Sequence, residues 1–299
     1  MDNIDVSIII VNYNTKLMTD ECINSILNCT KNNLIEIILV DNASTDGSKE
    51  FFISDKRIKY IYSENNLGFG KANNLGVSMA NGKYIFLLNS DTILLDDVIS
   101  KLFKFAEIND IIDIYKIGSI GTRLINQNLE DTLSFGQFTS PKRIYTRLLE
   151  KVKLKKKSYQ LKIYAELQNK GFSKVDFVSG ADLFILKNIY DEVEGFDPDF
   201  FMYYEETDLQ KRISRLGYQS FIINSKDIIH LDGGSFQDKL PFKRKMLMTN
   251  GLKLYIIKNF FGFNKFHMRV LSLLLLMIDL RKLSYSNKQN IALVNEILR

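Results

Sequence analysis

Tryptophan is absent from this chain, and proline, cysteine and histidine are nearly so: three, two and two in 299 residues. Two cysteines neither staple a secreted fold nor supply a zinc site, so a reducing cytoplasm is expected. Cys22 and Cys29 lie seven apart on a predicted helix, which stacks them on one face, turned inward. Three prolines and no low-complexity stretch mark no clear domain boundary, and there is no internal repeat. No apolar run reaches the roughly 18–20 residues of a spanning helix; the longest, Val270 to Ile278, is about half that. Met1 to Asp5 is polar and acidic and leads into the strand-length run Val6 to Val11, which is not the pattern of a secretory signal. GxSxG, HExxH, CxxC and Walker sequences are all missing.

What is present suits a globular protein with a full core: 45% hydrophobic and 25% charged residues. The net charge of +5 is local in origin. Ten Lys/Arg and two Glu fall between Pro141 and Lys170, leaving the rest of the chain slightly acidic. Such a stretch is a solvated helix face or a surface for an acidic ligand or polyanion. No nucleic-acid partner is expected.

The first hundred residues alternate between strand and helix. Val6 to Val11 is a β-branched run of the kind buried on both faces of a sheet. A helix over Met18 to Cys29 follows, then strands at Glu36 to Val40, Ile58 to Ser63 and Lys83 to Leu88, with the Asp41 to Gly47 loop and the glycine-rich Asn65 to Gly76 segment between them. This alternation predicts a doubly wound, mostly parallel α/β sheet, in which ligands sit beyond the carboxyl ends of the strands. Those ends carry Asn12, Tyr13 and Asn14; Asp41; and Asn89, Ser90 and Asp91. Three apolar strands ending in Asn or Asp point to one polar cleft. Beyond Ile117 the pattern loosens into strand-like pieces (Ile117 to Leu124, Val175 to Leu186, Gln219 to Ile223), and the last sixty or so residues read as helical. The expected organisation is one continuous α/β domain over 1–238 with a C-terminal helical extension over 239–299.

The segment Gly195 to Asp208 sets an aromatic run, Phe200 to Tyr204, directly before Glu205, Glu206 and Asp208. Leu209, Ile213 and Leu216 recur at helical spacing, placing the acids on the first turn of a helix with a buried apolar face. Acids there are either capping and dipole-complementing groups or an acid/base or metal site. Asp91, just past a buried strand, can set a carboxylate against a divalent cation carrying a diphosphate; Mg²⁺ and Mn²⁺ suit one carboxylate completed by waters and phosphate oxygens. Asp91 would otherwise cap the helix over Asp97 to Asn109, but Asp96 fits that task better. His230, before Gly233, Gly234 and Ser235, is a ligand or a structural histidine. Gly68 and Gly70 open a helix whose N-terminus could face phosphate or ribose, although the spacing is not a Rossmann fingerprint or a P-loop.

Taken in order, Ser7 to Asn14, Val40 to Asp46, Asn66-Leu-Gly-Phe-Gly with Asn73 and Asn74, Leu88-Asn-Ser-Asp91, Val178 to Ala181, Gly195-Phe-Asp197, Phe200 to Asp208, and His230 with Gly234-Ser235 resemble the family-2 inverting glycosyltransferases, and within them the rhamnosyltransferase-like branch. The resemblance implies a GT-A-like fold of the nucleotide-diphospho-sugar transferase kind. It also implies a base and ribose pocket at Asn12, Tyr13 and Asp41, with Asn14, Asn66, Gly68, Asn73, Asn89 and Ser90 around the donor. Asp91 would hold the cation with His230 close by, and the acid cluster would supply the general base. Two departures stand out: Asn89 replaces the first aspartate of the usual metal-binding pair, and the usual Glu-Asp reads Glu205-Glu206. Asp182 also stands where the branch has an apolar residue.

The implied reaction moves a sugar, L-rhamnose by the branch, from a dTDP- or UDP-sugar to a hydroxyl of a glycan or polyprenyl-diphosphate-linked acceptor in bacterial surface polysaccharide synthesis. Glu206 would be the base, with Glu205 and Asp208 as the other candidates. The alternatives are a nucleotidyltransferase, which should show a glycine-rich basic loop after the first strand, and a non-catalytic nucleotide-sugar-binding module. The Val270 to Ile278 run, with Lys265, Arg269, Arg281 and Lys282 around it, is expected to lie on the inner face of the membrane; packing on the domain or on a second copy in a homodimer is the other expectation.

Overall fold

A computed structural model describes residues 4–108, 116–151, 158–231, 241–281 and 285–298. β1 (Val6–Asn12) is buried almost throughout, and β2 (Ile35–Asn42) and β4 (Tyr84–Asn89) flank it, both parallel to it. β3 (Lys59–Ser63) extends the parallel set beside β2. The register pairs Asn12 with Asp41 and Val11 with Asn89, so the polar ends of three strands finish level. The connections run through α1 (Lys16–Cys29), α2 (Ser48–Phe52) and α3 (Phe69–Val77).

The second half of the sheet adds β10 (Asp182–Leu186), antiparallel to β4, then β6 (Ile117–Gly121), β11 (Gln219–Ile223) and β8 (Phe172–Val175). Its order is β3-β2-β1-β4-β10-β6-β11-β8. Two small ribbons lie beside it: β5 (Thr92–Leu94) with β12 (Ile228–His230), and β7 (Phe135–Gly136) with β9 (Phe177–Val178). The expected single strand over Val175 to Leu186 is thus three pieces, broken at Asp176 and at Ser179–Ala181. β6 ends at Gly121, where a Cβ would crowd Val178 and where Thr122 turns to bond Asp182.

Alternation along β1 distributes the core between the two faces, with Ile8 and Ile10 on one side and Ile9 on the other. Cys22, Ile23 and Ile26 of α1 and Val98 and Leu102 of α4 (Val98–Glu107) cover the first face. Val77 of α3 and Leu209 and Ile213 of α8 (Glu205–Arg215) cover the second. Leu216, expected on that buried stripe, instead ends α8 and is exposed. Cys22 and Cys29 face inward as expected; both are free thiols, and burial pushes the Cys22 thiol up to about 12. The helix after β5 is capped by Asp97, whose carboxylate accepts from the Ser100 amide at 3.2 Å. Asp96, the residue the sequence favoured as the cap, pairs instead with Lys101 at 2.7 Å.

The remaining helices are α5 (Pro141–Lys151), α6 (Ser158–Lys170), α7 (Lys187–Glu192), α9 (Phe242–Asn259), α10 (Gly262–Leu280) and α11 (Asn287–Leu298). The last three build cores of their own. Ile256 of α9 and Met268 and Leu275 of α10 enclose Ile144 of α5, while Leu276 packs with Leu293 and Ile297 of α11. Among the described residues no helix is long and apolar enough to cross a membrane.

Candidate active site

At the ends of β1 and β2 most polar side chains bond one another. Asn12 is fully buried; its Oδ1 accepts from the Thr15 amide at 3.1 Å, the Thr15 hydroxyl at 2.8 Å and the Thr19 hydroxyl at 3.1 Å, and its Nδ2 donates to Ser44 Oγ at 3.2 Å. Asp41 is also fully buried, accepting from the Ser44 amide at 2.9 Å and the Tyr60 hydroxyl at 2.7 Å. Asn14 takes a left-handed backbone, φ 57°, and accepts the Thr45 amide at 2.7 Å. Tyr13 is different: the residue is 49% exposed.

Asn66 shapes the next loop, its Oδ1 accepting from Asn42 Nδ2 at 3.1 Å and from the Gly68 amide at 2.9 Å. Gly68 must be glycine, because φ is +81° and a Cβ would overlap the Phe201 carbonyl. That carbonyl accepts from the Phe69 amide at 2.9 Å and joins this loop to the aromatic run before the acids. Asn73 is buried and spends its amide on the Phe69 carbonyl, 2.9 Å away within α3. Its neighbour Asn74 makes the tertiary link: Oδ1 accepts from the Phe196 amide at 2.9 Å and the Tyr190 hydroxyl at 2.5 Å, while Nδ2 donates to the Phe196 carbonyl at 2.8 Å. Two adjacent asparagines on one helix were the only sequence trace of this difference.

At the end of β4, His230 comes to Asp91 because β12 pairs with β5. His230 Nε2 lies 3.2 Å from Asp91 Oδ1 and 3.3 Å from Asn89 Nδ2. One imidazole nitrogen cannot donate to a carboxylate and accept from an amide at the same time. Ser90 Oγ is 3.0 Å from Thr15 Oγ1, which ties this loop to that of β1. Among the described residues no three His, Cys, Asp or Glu side chains converge as a metal cage. A carboxylate and an imidazole nitrogen at the cleft still fit a cation that completes its shell with waters and diphosphate oxygens. Gly233, Gly234 and Ser235 lie outside the described residues. Asp182 does not open to the cleft: it is fully buried, its Oδ2 accepts from the Thr122 amide and hydroxyl at 2.6 and 2.7 Å, and desolvation pushes its carboxyl up to about 7.

The acid cluster opens α8, where Tyr203 and Tyr204 are both left-handed at φ 69° and 71°. Two consecutive aromatic residues in this region are strained, and the surroundings hold them there. Gly251 of α9 permits it, since a Cβ at that position would overlap the Tyr203 carbonyl oxygen. Tyr255, also on α9, is buried with its ring centroid 5.7 Å from that of Tyr204.

The three acids then diverge. Asp208 is saturated, its Oδ2 accepting from Arg212 Nε at 2.8 Å and its Oδ1 from Asn259 Nδ2 at 2.9 Å. Glu205 is buried with Oε2 unbonded; desolvation first, then the neighbouring Glu206, raises its carboxyl well above the usual range. Glu206 is half-buried beside Gly180, whose Cβ would come within 3.3 Å of the Glu206 Cβ. Its carboxyl is also raised, by desolvation against several opposing hydrogen bonds. The two glutamates titrate as a pair, with Glu205 the better proton holder because it is the more deeply buried.

Parallel strands ending level at a polar cleft, an Asp–His pair past the fourth strand and an acid-bearing helix opposite define the GT-A fold of nucleotide-diphospho-sugar transferases. The chain belongs to glycosyl transferase family 2, which it matches over residues 7–192. It is 38% identical over 109 residues to Glycosyltransferase GlyG of Streptococcus pneumoniae, covering 35% of this chain and 36% of that protein. An uncharacterized glycosyltransferase of Methanocaldococcus jannaschii is 39% identical over 119 residues, 38% of this chain and 41% of that one. The matches thus span about two-fifths or less of these curated relatives, and the family match stops before the acid cluster.

Proposed function

We propose that this chain is an inverting glycosyltransferase of the rhamnosyltransferase-like branch, moving a sugar from a dTDP- or UDP-sugar to a hydroxyl of a glycan or polyprenyl-diphosphate-linked acceptor. The observation that carries the reading is the division of labour on the first turn of α8. Asp208 is fully bonded and Glu205 is enclosed, which leaves Glu206 as the one carboxylate of the three with room for an acceptor hydroxyl.

In this mechanism Glu206 takes the proton as the acceptor oxygen attacks the anomeric carbon, and the bond to the nucleoside diphosphate breaks on the opposite face, inverting the centre. A helix N-terminus favours the ionised form that a base needs. With Glu205 protonated, only one of the two neighbouring carboxyls carries a charge, so repulsion does not oppose ionisation of Glu206. Tyr13 stacks on the base, and Asn12, Asp41 and Asn66 hold the loops that frame the donor. Asp91 and His230 would hold Mg²⁺ or Mn²⁺, which supplies charge neutralisation for the departing diphosphate.

Residues 1–238 would form the catalytic domain, with the donor part in 1–115 and the acceptor part in 116–238. The extension over 239–299 has two assignments here. Through Gly251, Tyr255 and Asn259, α9 braces the catalytic helix. α10 exposes Phe263, Phe266, Val270, Leu274 and Met277 at helical spacing, a stripe suited to the cytoplasmic face of an anionic membrane.

The test is hydrolysis and transfer with a panel of nucleotide sugars, preceded by thermal-shift comparison of dTDP-rhamnose with UDP-hexoses. Turnover of none of them would sink the enzyme reading. Stabilisation by a UDP-hexose alone would remove the rhamnosyl assignment. For the membrane, Phe266→Asp with Leu274→Asp should abolish flotation with anionic liposomes at low salt; a protein that never floats and sediments as a dimer would make the stripe a subunit contact.

A further inference from the structure

The basic stretch that composition singled out is not merely a solvated helix face. A cavity of about 520 Å³ lies between the β7 segment, α5 and α6, within the range of small-ligand sites. Gly136 and Gln137 form one wall, and Arg143, Arg147, Glu150 and Lys151 of α5 project from the other. The cations are under-compensated. Arg143 has Glu150 at 3.5 Å, and Lys151 shares Asp279 with Lys245, while Arg147 has no carboxylate partner among the described residues. Around Arg147, then, positive charge is in excess among the described residues. Lys245 registers the excess: desolvation first, then repulsion from Lys151 and Arg147, pulls its ammonium down to about 8.

Position gives the cavity its meaning. β7 pairs with β9, and β9 runs into Gly180, the residue against Glu206. Thr139, between β7 and α5, bonds the Tyr204 hydroxyl, and Arg147 is the cation acting on that same hydroxyl. Tyr204 immediately precedes the acid pair. The cavity is thus linked to the first turn of α8 through Gly180, Thr139 and Arg147, and α10, with its exposed apolar stripe, packs on the same α5.

We propose that this cavity binds the phosphate or diphosphate group carried by the acceptor, with Arg147 and Arg143 as its principal ligands. The inference rests on the glycosyltransferase reading and names the acceptor's chemistry: an anionic group set back from the hydroxyl that Glu206 deprotonates. Guanidinium groups suit it because they bond phosphate oxygens in pairs.

The experiment is calorimetric titration with farnesyl diphosphate, pyrophosphate and farnesol, which needs no turnover. Farnesyl diphosphate should bind, farnesol should not, and Arg147→Gln and Arg143→Gln should each raise Kd for the diphosphate about tenfold or more. Asp91→Ala should leave that Kd within about twofold, since the donor's diphosphate site is separate. In transfer assays Arg147→Gln should raise the acceptor KM with kcat little changed. Having two arginine variants keeps the test alive if one fails to fold. Unchanged affinity in both would overturn the proposal, as would binding lost with Asp91→Ala. Pyrophosphate binding as tightly as farnesyl diphosphate, with the same arginine dependence, would mean a free-anion site and also overturn it. Donor binding by the wild-type protein is measured alongside: its absence would sink the glycosyltransferase reading, whatever the arginine variants do.

Discussion

The donor side of the cleft and the first turn of α8 treat their polar groups in opposite ways. At the ends of β1 and β2, Asn12, Asp41, Asn42 and Asn66 bond one another's loops until little capacity remains, and the result is a rigid frame. On α8 the two glutamates are crowded, partly unbonded and raised in pKa, beside a bend that holds two tyrosines in left-handed conformations. Local rules are satisfied at the strand ends and broken on the first turn of α8, the place the proposed mechanism assigns to the base. The same contrast recurs within the acid cluster, between bonded Asp208 and its two neighbours.

The sharpest test exchanges the members of that cluster. Glu206→Gln should lower kcat by about a thousandfold, because a general base acts in the transition state, with donor affinity little changed. Glu205→Gln should cost less than about tenfold, since the amide imitates a carboxyl already protonated. Equal losses from the two would erase the distinction between them. Asp91→Ala should come next, weakening donor binding in a way that added Mg²⁺ or Mn²⁺ no longer reverses; donor affinity indifferent to both the substitution and EDTA would remove the cation from Asp91.

The pH profile sharpens the same contrast. Because the Glu206 carboxyl is raised and the base must be ionised, activity should fall on acidification at a pH above the ordinary carboxylate range, and Glu206→Gln should lose that limb. Asp182 gives a stability effect of known sign. Its folded-state value of about 7 lies above the usual 3.8, so the stability it allows is full at low pH and declines as pH rises through that window. Asp182→Asn should flatten the decline in thermal midpoint between pH 4 and 7. Smaller still, Asp208→Asn should cost about 2 kcal/mol of stability by removing the charge opposite Arg212 and setting an amide NH2 against one of the two donors, Arg212 or Asn259, while transfer by the folded protein stays within about tenfold of wild type. A thousandfold loss there would make Asp208 part of the chemistry.

Much of this architecture was legible in the chain. Continuous β-branched runs have few alternatives to buried parallel strands, and the level polar termini followed from where those runs stop. What sequence could not reveal was long-range. Nothing local distinguishes Asn73, spent inside its own helix, from Asn74, which holds a loop some 120 positions away. Asp97 rather than Asp96 caps α4 because the backbone enters the helix one residue later than composition suggested. Glu205, Glu206 and Asp208 look alike in a string of letters; only the arrival of Arg212, Asn259 and Gly180 separates them.

The contact between Gly251 and Tyr203 has a consequence for how such proteins vary and how they can be cut. The family match ends at residue 192, yet the tyrosine bend before Glu205 is clamped by a helix that begins fifty positions later. A fragment trimmed to the recognisable family segment should keep the nucleotide frame and lose the base. In descendants of this chain, drift at position 251 and at the tyrosine bend cannot be independent: a side chain at the first demands a different backbone at the second. Any relative that retains the bent tyrosines under an equivalent helix should therefore carry glycine where the two backbones touch. That makes one glycine on the far C-terminal side a better marker of an intact tyrosine bend than similarity across the first half of the sheet.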